Sequence, residues 1–330
     1  MLFNLLRVYS LAISDCTNII QFAISLGLDL ISPERMNSIR DDCCDYDNTG
    51  VQCINGVATK IEWTDMNLNG TIETIYIPPN VTSLYLYGNL LSGSIPGGFP
   101  EGLQNLGLSN NKLTGNFPIL PESLSYLSVG NNLLSGRISF NQPFNNLVVF
   151  GADFNNFSGE IAPFPKSLKQ IFLTHNLLNG SFPTLPVDAK DVRSGFNYFT
   201  GSFPSPFPTV LAEMYLHENL FSGDLPTFPN SLKYVYLNTV NAVKINRFTG
   251  SMVLSSPGYF RIPHTFITDL IVWDPNHIEN CDISDTPLYG NPHIRNLTIC
   301  AQTGLYNASS LPQTKLLHAT ATPSTKTGIF

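Results

Sequence analysis

Short alternations of apolar and polar residues recur along the chain, and the same polar and small residues follow each one. In the segment SLYLYGNLLSGSIP, Leu84-x-Leu86 is followed by Asn89, Leu91 and Gly93. Such an alternation predicts a short strand with one buried face. The frame L-x-L-x-x-N-x-L-x-G, or its second half, returns at Leu106, Leu108, Asn111, Leu113 and Gly115; Leu127, Val129, Asn132, Leu134 and Gly136; Asn155, Phe157 and Gly159; Asn176, Leu178 and Gly180; Asn197, Phe199 and Gly201; and Asn219, Phe221 and Gly223.

The copies are regularly spaced. From Gly70 to Gly223, successive glycines of the frame lie 23, 22, 21, 23, 21, 21 and 22 residues apart. Because one repeat cannot hide its apolar face alone, eight copies in frame predict a solenoid stabilised by stacking of neighbours. A degenerate first copy consists of Ile61, Trp63, Met66, Leu68 and Gly70.

Asparagine is unusually frequent, with 33 residues in 330, and the frame supplies a reason. An Asn side chain can bond backbone groups left unpaired where a strand turns sharply. Stacked repeats would place these residues in a buried ladder, and losing one would leave backbone groups unsatisfied at about 1–3 kcal/mol. The predicted ladder consists of Asn89, Asn111, Asn132, Asn155, Asn176, Asn197, Asn219 and Asn246.

After the glycine the repeats resemble leucine-rich repeats of the plant-type class, whose marker is G-x-[IFL]-P. The marker occurs as GSIP (93–96), GNFP (115–118), GSFP (180–183 and 201–204) and GDLP (223–226), whereas GRIS (136–139) and GEIA (159–162) depart from it. The resemblance implies an α/β-type, β-dominated solenoid, a right-handed superhelix with short parallel strands on its concave face. It also implies a second, short sheet beside the first.

The repeats average nearer 22 residues than the family's 24, and the remainder of each is rich in proline. Examples are ILPESL, PFPKSL, TLPVDA and TFPNSL. Proline restricts its own backbone and that of the preceding residue, so we expect extended or turn-like convex segments instead of helices.

Both ends of the repeat array resemble disulfide caps of this family. Before the repeats, apolar residues recur with helical spacing, and Ser32-Pro33-Glu34 predicts the start of a second short helix. The segment CCDYDNTGVQC (43–53) is similar to the family's cap ending. The resemblance implies the pairs Cys16–Cys43 and Cys44–Cys53, and leaves Cys281 and Cys300 to close a C-terminal cap. A zinc site would need His at fixed spacing, and the six His are scattered.

The ninth copy is broken, because Asn246, Phe248 and Gly250 follow Val235 and Leu237 six residues late. The intervening segment NTVNAVKI (238–245) is either a loop that reaches a ligand or a place where the repeat pattern is lost as the sequence approaches the C-terminal cap. The closing block (281–300) resembles that of leucine-rich-repeat proteins from early-diverging fungi. A further degenerate copy is predicted at Ile271, Trp273, Asn276, Ile278 and Asn280.

These features divide the chain into five parts. We predict a signal peptide (1–14), an N-terminal disulfide cap (15–56), leucine-rich repeats (57–250), a degenerate repeat with a C-terminal cap (251–306) and a Ser/Thr-rich flexible tail (307–330). The alternative for the first segment is a plain helix, because Arg7 lies inside the apolar run. Terminal cysteines and the leader predict an extracellular or cell-surface protein.

Charge and motifs exclude several function classes. The net charge is −7 with no basic cluster, which argues against nucleic-acid binding. No catalytic or phosphate-binding motif is present, so we expect no enzyme activity and no cofactor or metal. The acidic residues Asp274, Glu279, Asp282 and Asp285, and His277 beside them, are more simply a solvated cap surface than paired catalytic carboxylates. Sequons occur, about as often as chance allows, at Asn69, Asn80, Asn156, Asn179, Asn296 and Asn307.

The concave sheet is the most informative surface. We call the position between the paired apolar residues the central column; it contains Tyr85, Gly107, Ser128, Gly151, Phe172, Arg193, Tyr215 and Tyr236. The side column, two residues later, contains Tyr87, Ser109, Gly130, Asp153, Thr174, Gly195, His217 and Asn238. Aromatic and Arg side chains are enriched at binding hot spots, although Tyr and Phe also favour strands wherever they occur. The candidate ligand-binding residues are Tyr85, Tyr87, Phe172, Arg193, Tyr215, His217, Tyr234 and Tyr236.

The leading hypothesis is a noncatalytic recognition module for an extracellular protein, peptide or cell-wall glycan. The resemblance to receptor-like protein ectodomains and polygalacturonase-inhibiting proteins implies this function without naming a ligand. The second hypothesis is a structural or adhesive wall protein without one specific ligand. The third, an enzyme acting on wall polysaccharide, would need Asp274 or Glu279 for turnover. Membrane attachment would require a longer product.

Overall fold

The computed structural model describes residues 16–73, 77–140, 143–238, 244–255, 257–273, 275–288 and 300. The predicted signal peptide and tail, Asp274, and the sequons at Asn296 and Asn307 lie outside these residues. Within them, no helix is long and apolar enough to cross a membrane.

The N-terminal end is helical. Its helices are α1 (16–25), α2 (Leu28–Ile31), α3 (Pro33–Asp41) and α4 (Tyr46–Thr49). Helix α3 begins at Pro33, as the sequence predicts, with Ser32 at the N-cap. The indole of Trp63 stacks on Phe22 with ring centroids 5.3 Å apart, and its Nε1 donates to the Thr49 carbonyl (2.7 Å). The helices therefore cover the apolar end of the first repeat.

The main sheet has 12 strands, and all but the first run parallel to their neighbours. In spatial order they are β1 (Val51–Ile54), β2 (Val57–Glu62), β3 (Ser83–Tyr85), β5 (Asn105–Gly107), β7 (Tyr126–Ser128), β9 (Val149–Gly151), β11 (Gln170–Phe172), β13 (Asp191–Arg193), β15 (Glu213–Tyr215), β17 (Tyr234–Tyr236), β19 (Tyr259–Arg261) and β21 (Asn280–Asp282). Each turn of the solenoid adds one strand, which confirms the predicted fold class.

A second row of short strands runs beside the first. It comprises β4 (Ser92–Ser94), β6 (Lys112–Thr114), β8 (Ser135–Gly136), β10 (Asn156–Gly159), β12 (Leu177–Ser181), β14 (Tyr198–Gly201), β16 (Leu220–Asp224), β18 (Arg247–Leu254) and β20 (Phe266–Val272). These strands form a 7-stranded and a 2-stranded sheet. The proline-rich segments between repeats are turns and extended chain without helix wherever the chain is described, as expected.

The apolar positions of the frame form one continuous core. The paired residues, such as Leu84 and Leu86, are fully buried in repeat after repeat. In the later repeats Phe replaces the Leu after the ladder Asn, and these rings stack: Phe221 lies 6.0 Å from Phe199 and 5.7 Å from Phe248, centroid to centroid.

The eight Asn of the predicted ladder are buried and bond two neighbouring turns. The Oδ1 atom of Asn176 accepts from Phe157 N (3.0 Å) of the preceding turn. Its Nδ2 donates to the Ala152 carbonyl (2.9 Å) of that turn and to the Leu173 carbonyl (3.1 Å) of its own. Asn246 makes the same kind of bonds despite its late position, because its Nδ2 reaches the carbonyls of Leu216 and Leu237.

Two further turns follow, and the predicted copy at Ile271, Trp273, Asn276, Ile278 and Asn280 is wrong. Ile271 lies in β20 of the second sheet, and Trp273 is 74% exposed. The frame instead continues with Thr at the ladder position: the Thr265 hydroxyl donates to the Ile262 carbonyl (2.7 Å), and the Thr286 hydroxyl to the Ile283 carbonyl (2.6 Å). The hydroxyl reproduces the bond that the Asn amide makes within its own turn, so a search for Asn missed both copies.

Three disulfides join Cys16 to Cys43, Cys44 to Cys53 and Cys281 to Cys300. These are the pairs that the family resemblance implied. The first two fasten α1 and the loop after α3 over the N-terminal end, and the third ties β21 to Cys300.

We expect Asn176→Ala to lower the free energy of unfolding by about 1–3 kcal/mol, since it leaves buried backbone groups unpaired. The matched control is Asn179→Ala, at an exposed position of β12, which should change stability by less than about 0.5 kcal/mol. Urea unfolding of protein freed of N-glycans measures both. Equal effects of the two substitutions would contradict the structural role of the ladder.

Candidate functional site

The register of the main sheet brings the central column into one row on the concave face. Tyr85 pairs with Gly107, Phe172 with Arg193, Tyr215 with Tyr236, and Tyr236 with Arg261. Parallel strands lie about 4.8 Å apart, so side chains at equal positions of successive strands touch.

A continuous row of rings and guanidinium groups fills the C-terminal half of this column. We call it the aromatic–arginine ladder: Phe172, Arg193, Tyr215, Tyr236 and Arg261. The Arg193 guanidinium carbon lies 5.3 Å from the Phe172 ring centroid and 4.9 Å from that of Tyr215. Tyr215 and Tyr236 stack with centroids 4.7 Å apart and planes 11° apart, and Arg261 lies 5.8 Å from the Tyr236 ring. The faces of the inner rings are therefore covered by their neighbours.

Two carboxylates hold Arg193 in place. Its Nη2 lies 2.9 Å from Asp191 Oδ2 and 2.8 Å from Glu213 Oε2, and its Nε donates to Asp191 Oδ1 (2.9 Å). Burial, together with the Glu213 carboxylate, raises the pKa of the Tyr215 phenol. The Tyr215 phenol is therefore neutral. Packing and charge-assisted hydrogen bonds fix the geometry of Arg193 and its two carboxylates.

Beside the ladder, Tyr234 stacks on Tyr259 with centroids 5.4 Å apart and planes 16° apart. These phenols occupy the position that Asp191 and Glu213 hold in the two preceding turns. The C-terminal half of the concave face thus changes from carboxylates to phenols along one row.

A second cluster lies at the N-terminal end of the concave face. The Tyr85 ring lies 5.9 Å from that of Tyr87 and 6.5 Å from that of Tyr126, and Lys60 Nζ is 5.6 Å from the Tyr85 centroid. Lys60 pairs with Glu62 at 2.6 Å. Between the two clusters the two columns carry small residues, such as Gly107, Ser128, Gly130 and Gly151. The structure does not bring Tyr85 and Tyr87 together with the later candidates.

His217 lies across the sheet over Gly195. A Cβ added at Gly195 would come within 2.5 Å of the imidazole, so glycine is needed there for the ring to lie flat. The ring packs edge-on against Phe196 with centroids 5.0 Å apart. Burial lowers the pKa of His217 to about 4, and no described residue forms a hydrogen bond with its Nδ1.

The sequence reading missed a row of aromatic side chains at the edge of the concave face, directly before the ladder Asn. Phe154, His175 and Phe196 stack with centroid distances of 4.4 and 4.0 Å. Their φ angles are 51°, 57° and 54°, in the left-handed region that bulky residues rarely adopt. The same frame position carries Asn110 and Asn131 in earlier repeats. Comparing this position across the repeats would have revealed the change from Asn to aromatic residues.

The remaining candidates do not form a site among the described residues. Asp282 accepts from the Ser284 hydroxyl (2.7 Å), and Asp285 lies 3.6 Å from His264. No group of three or more His, Cys, Asp or Glu in the described ranges could hold a metal ion. Lys244, in the insertion, lies 3.7 Å from the Tyr198 ring of the second sheet. The sequon residues Asn69, Asn80, Asn156 and Asn179 are exposed.

Two partly buried groups of the side column predict opposite pH dependences. Burial raises the pKa of Asp153 to about 6, so its contribution to stability is present below its unfolded pKa near 4 and is lost as the pH rises through 6. The lowered pKa of His217 works the other way: its contribution is present above about 6.5 and is lost as the pH falls toward 4.

We expect Asp153→Asn to stabilise the protein at pH 7 by on the order of 1 kcal/mol and to have little effect at pH 4. His217→Gln should reduce the loss of stability between pH 6.5 and pH 4. Urea unfolding at several pH values measures both, with Asp188→Asn, at an exposed position, as the control. Parallel pH curves for Asp153→Asn and the unaltered chain would contradict the burial of this carboxyl.

Comparison with known proteins agrees with the solenoid fold. The family model "Leucine Rich Repeat" matches residues 80–101. Among curated proteins, the chain is 30% identical over 152 residues to Serine/threonine-protein kinase BRI1-like 1 of Arabidopsis thaliana, covering 41% of this chain and 13% of that protein. It is 38% identical over 112 residues to Receptor-like protein 34 of the same plant, covering 32% and 12%.

The chain thus spans only about an eighth of the length of these relatives. Among solved structures, a plant ice-binding protein superposes with a TM-score of 0.50 and 24% sequence identity, covering 72% of this chain and 87% of that one; this likeness concerns the fold alone. Repeat frame, solenoid and family model agree that the chain folds as a leucine-rich-repeat solenoid, and parts of it are similar to a plant receptor-like protein and a plant serine/threonine-protein kinase.

Proposed function

We propose that the chain is a noncatalytic recognition module that binds a protein or peptide on the C-terminal half of its concave face, outside the cell or at its surface. The aromatic–arginine ladder carries this proposal. Trp, Tyr and Arg dominate binding hot spots, and a surface whose side chains are already ordered loses little entropy on binding. One of the relatives that the chain matches over part of its length is named as a receptor-like protein, and another as a serine/threonine-protein kinase.

The stacking favours a polypeptide over a glycan. A sugar ring binds best on a free aromatic face, but each inner ring of the ladder has neighbours on both sides. Arg193 covers Phe172 and one side of Tyr215, and Tyr236 covers the other. What the ladder offers a partner is ring edges, phenol hydroxyls and guanidinium N–H groups. These suit the carbonyls and side chains of a polypeptide.

The alternative is a structural or adhesive wall protein without one specific ligand. Such a role would need a long regular surface and no ordered patch. The difference between the two halves of the concave face favours recognition, because only the later turns carry the continuous ladder.

We expect the double substitution Tyr215→Ala and Tyr236→Ala to abolish binding of peptides selected on the unaltered chain from a displayed random library. Truncating two hot-spot side chains should weaken affinity by at least tenfold. The matched control is Tyr85→Ala with Tyr87→Ala, which removes the same groups from the N-terminal cluster and should retain binding.

Thermal unfolding checks that both double variants remain folded. Selected peptides that bind the ladder variant as tightly as the unaltered chain would contradict the assignment of the site. A library that yields no specific peptide would support the structural role.

A further inference from the structure

Two neighbouring buried atoms of the side column lack hydrogen-bond partners. Asn238 is 7% exposed, and among the described residues its Oδ1 atom has no hydrogen-bond partner, nor does Nδ1 of His217. Ser194 Oγ shares this property, but it belongs to the paired core positions of its turn and faces the interior. Buried polar atoms are nearly always paired in native proteins. The pairing of Tyr215 with Tyr236 places His217 and Asn238 one strand spacing apart, so one small polar group can reach both side chains.

The residue beside Asn238 in the next turn has no backbone donor. The register that pairs Tyr236 with Arg261 places the buried Pro263 beside Asn238, and proline has no N–H to donate. The backbone carbonyl of Asn238 is used, because it accepts from Glu218 N (3.1 Å). No described neighbour therefore supplies the hydrogen bond that the Asn238 side chain lacks.

Packing, and no hydrogen bond at Nδ1, holds the His217 ring in place. Its ring contacts Gly195, Phe196 and Tyr236, and no hydrogen bond fixes Nδ1. The imidazole is neutral near pH 7, because burial lowers its pKa to about 4. A neutral imidazole has one N–H donor and one acceptor nitrogen. Rotation of the ring toward the concave face would therefore break no hydrogen bond at Nδ1.

The chemistry of the two atoms selects the group that would fit. Asn238 Oδ1 needs an N–H donor, and His217 Nδ1 needs a donor or an acceptor according to its tautomer. A primary carboxamide meets either case, because its NH2 has two N–H donors and its oxygen lies beside one of them. A trans peptide unit directs its single N–H and its carbonyl to opposite sides. A carboxylate has no donor for Oδ1, and an ammonium group would bring an uncompensated charge into a buried position.

We propose that His217 and Asn238 form a subsite for a primary carboxamide, the side chain of an Asn or Gln in a peptide or protein partner. The subsite lies beside Tyr236, so it extends the aromatic–arginine ladder and rests on the proposed function. The His217 ring turns aside to admit the group, which then pairs with Asn238 Oδ1 and His217 Nδ1.

The first test uses N-acetyl-asparagine methylamide as the probe and the isotope-labelled full chain. The imidazole signals of His217, assigned by their loss in His217→Gln, should shift on titration. The alanine analogue of the probe, which lacks the carboxamide, should leave them unmoved, and so should the asparagine probe added to Asn238→Ala. No shift at tens of millimolar probe, or an equal shift in Asn238→Ala, would overturn the subsite.

The second test compares two Asn→Ala substitutions. Asn238→Ala removes an unpartnered atom, so its melting temperature should equal or exceed that of the unaltered chain. Asn219→Ala removes a ladder residue whose Oδ1 accepts from Phe199 N, so its melting temperature should fall. A fall of similar size in Asn238→Ala would assign Asn238 a structural role and overturn the subsite.

Peptides selected on the unaltered chain separate this proposal from the proposed function. We expect them to share an Asn or Gln, to bind Asn238→Ala at least tenfold more weakly, and to lose at least tenfold when that residue is changed to Asp or Glu. Selected peptides that need the ladder but not Asn238 would overturn the subsite and leave the proposed function intact. Failure to select any peptide would count against the proposed function, while the probe titration would still decide the subsite.

Discussion

The repeat array depends on one hydrogen-bonding arrangement, the Asn side chain that joins each of eight successive turns to the turn before it. The sharp bend after each short strand leaves backbone N–H and C=O groups without strand partners, in a place that water does not reach. A carboxamide has a donor side and an acceptor side, so one residue can satisfy both kinds of group. Asn197, for example, accepts from Leu178 N and donates to the carbonyls of Leu173 and Ser194. Apolar stacking supplies the driving force, and this arrangement fixes the register in which the turns stack.

That register has a direct consequence for the concave face. Because the strands stack without offset, equal positions of successive repeats lie one strand spacing apart. This spacing falls within the preferred range of centroid separations for stacked aromatic rings. Tyr215 and Tyr236 stack because the pairing of β15 with β17 sets them side by side. The aromatic–arginine ladder is thus a consequence of the strand register that the Asn ladder fixes. It needs no loop to order it, and its rigidity comes from the fold.

Much of this arrangement could be predicted from the sequence, since periodicity alone identifies the strands, the ladder Asn and the outward columns. Three features could not be predicted in this way. Thr265 and Thr286 continue the ladder with a hydroxyl, which a search for Asn does not see. The stacking that covers the ring faces depends on side-chain orientation, which the frame does not specify. The partnerless atoms of His217 and Asn238 become visible only when every nearby donor and acceptor has a position.

The most direct test of this account is hydrogen exchange at the backbone amides that donate to ladder oxygens. Leu134, Phe157 and Leu178 lie outside the strands of the main sheet, and each donates to an Asn Oδ1 at 3.0–3.1 Å. If the Asn ladder joins the turns into one cooperative unit, these amides will exchange as slowly as those of the central strands, near the limit set by global unfolding. Exchange at rates typical of surface loops would show that the turns are held by apolar stacking alone, and would contradict the account.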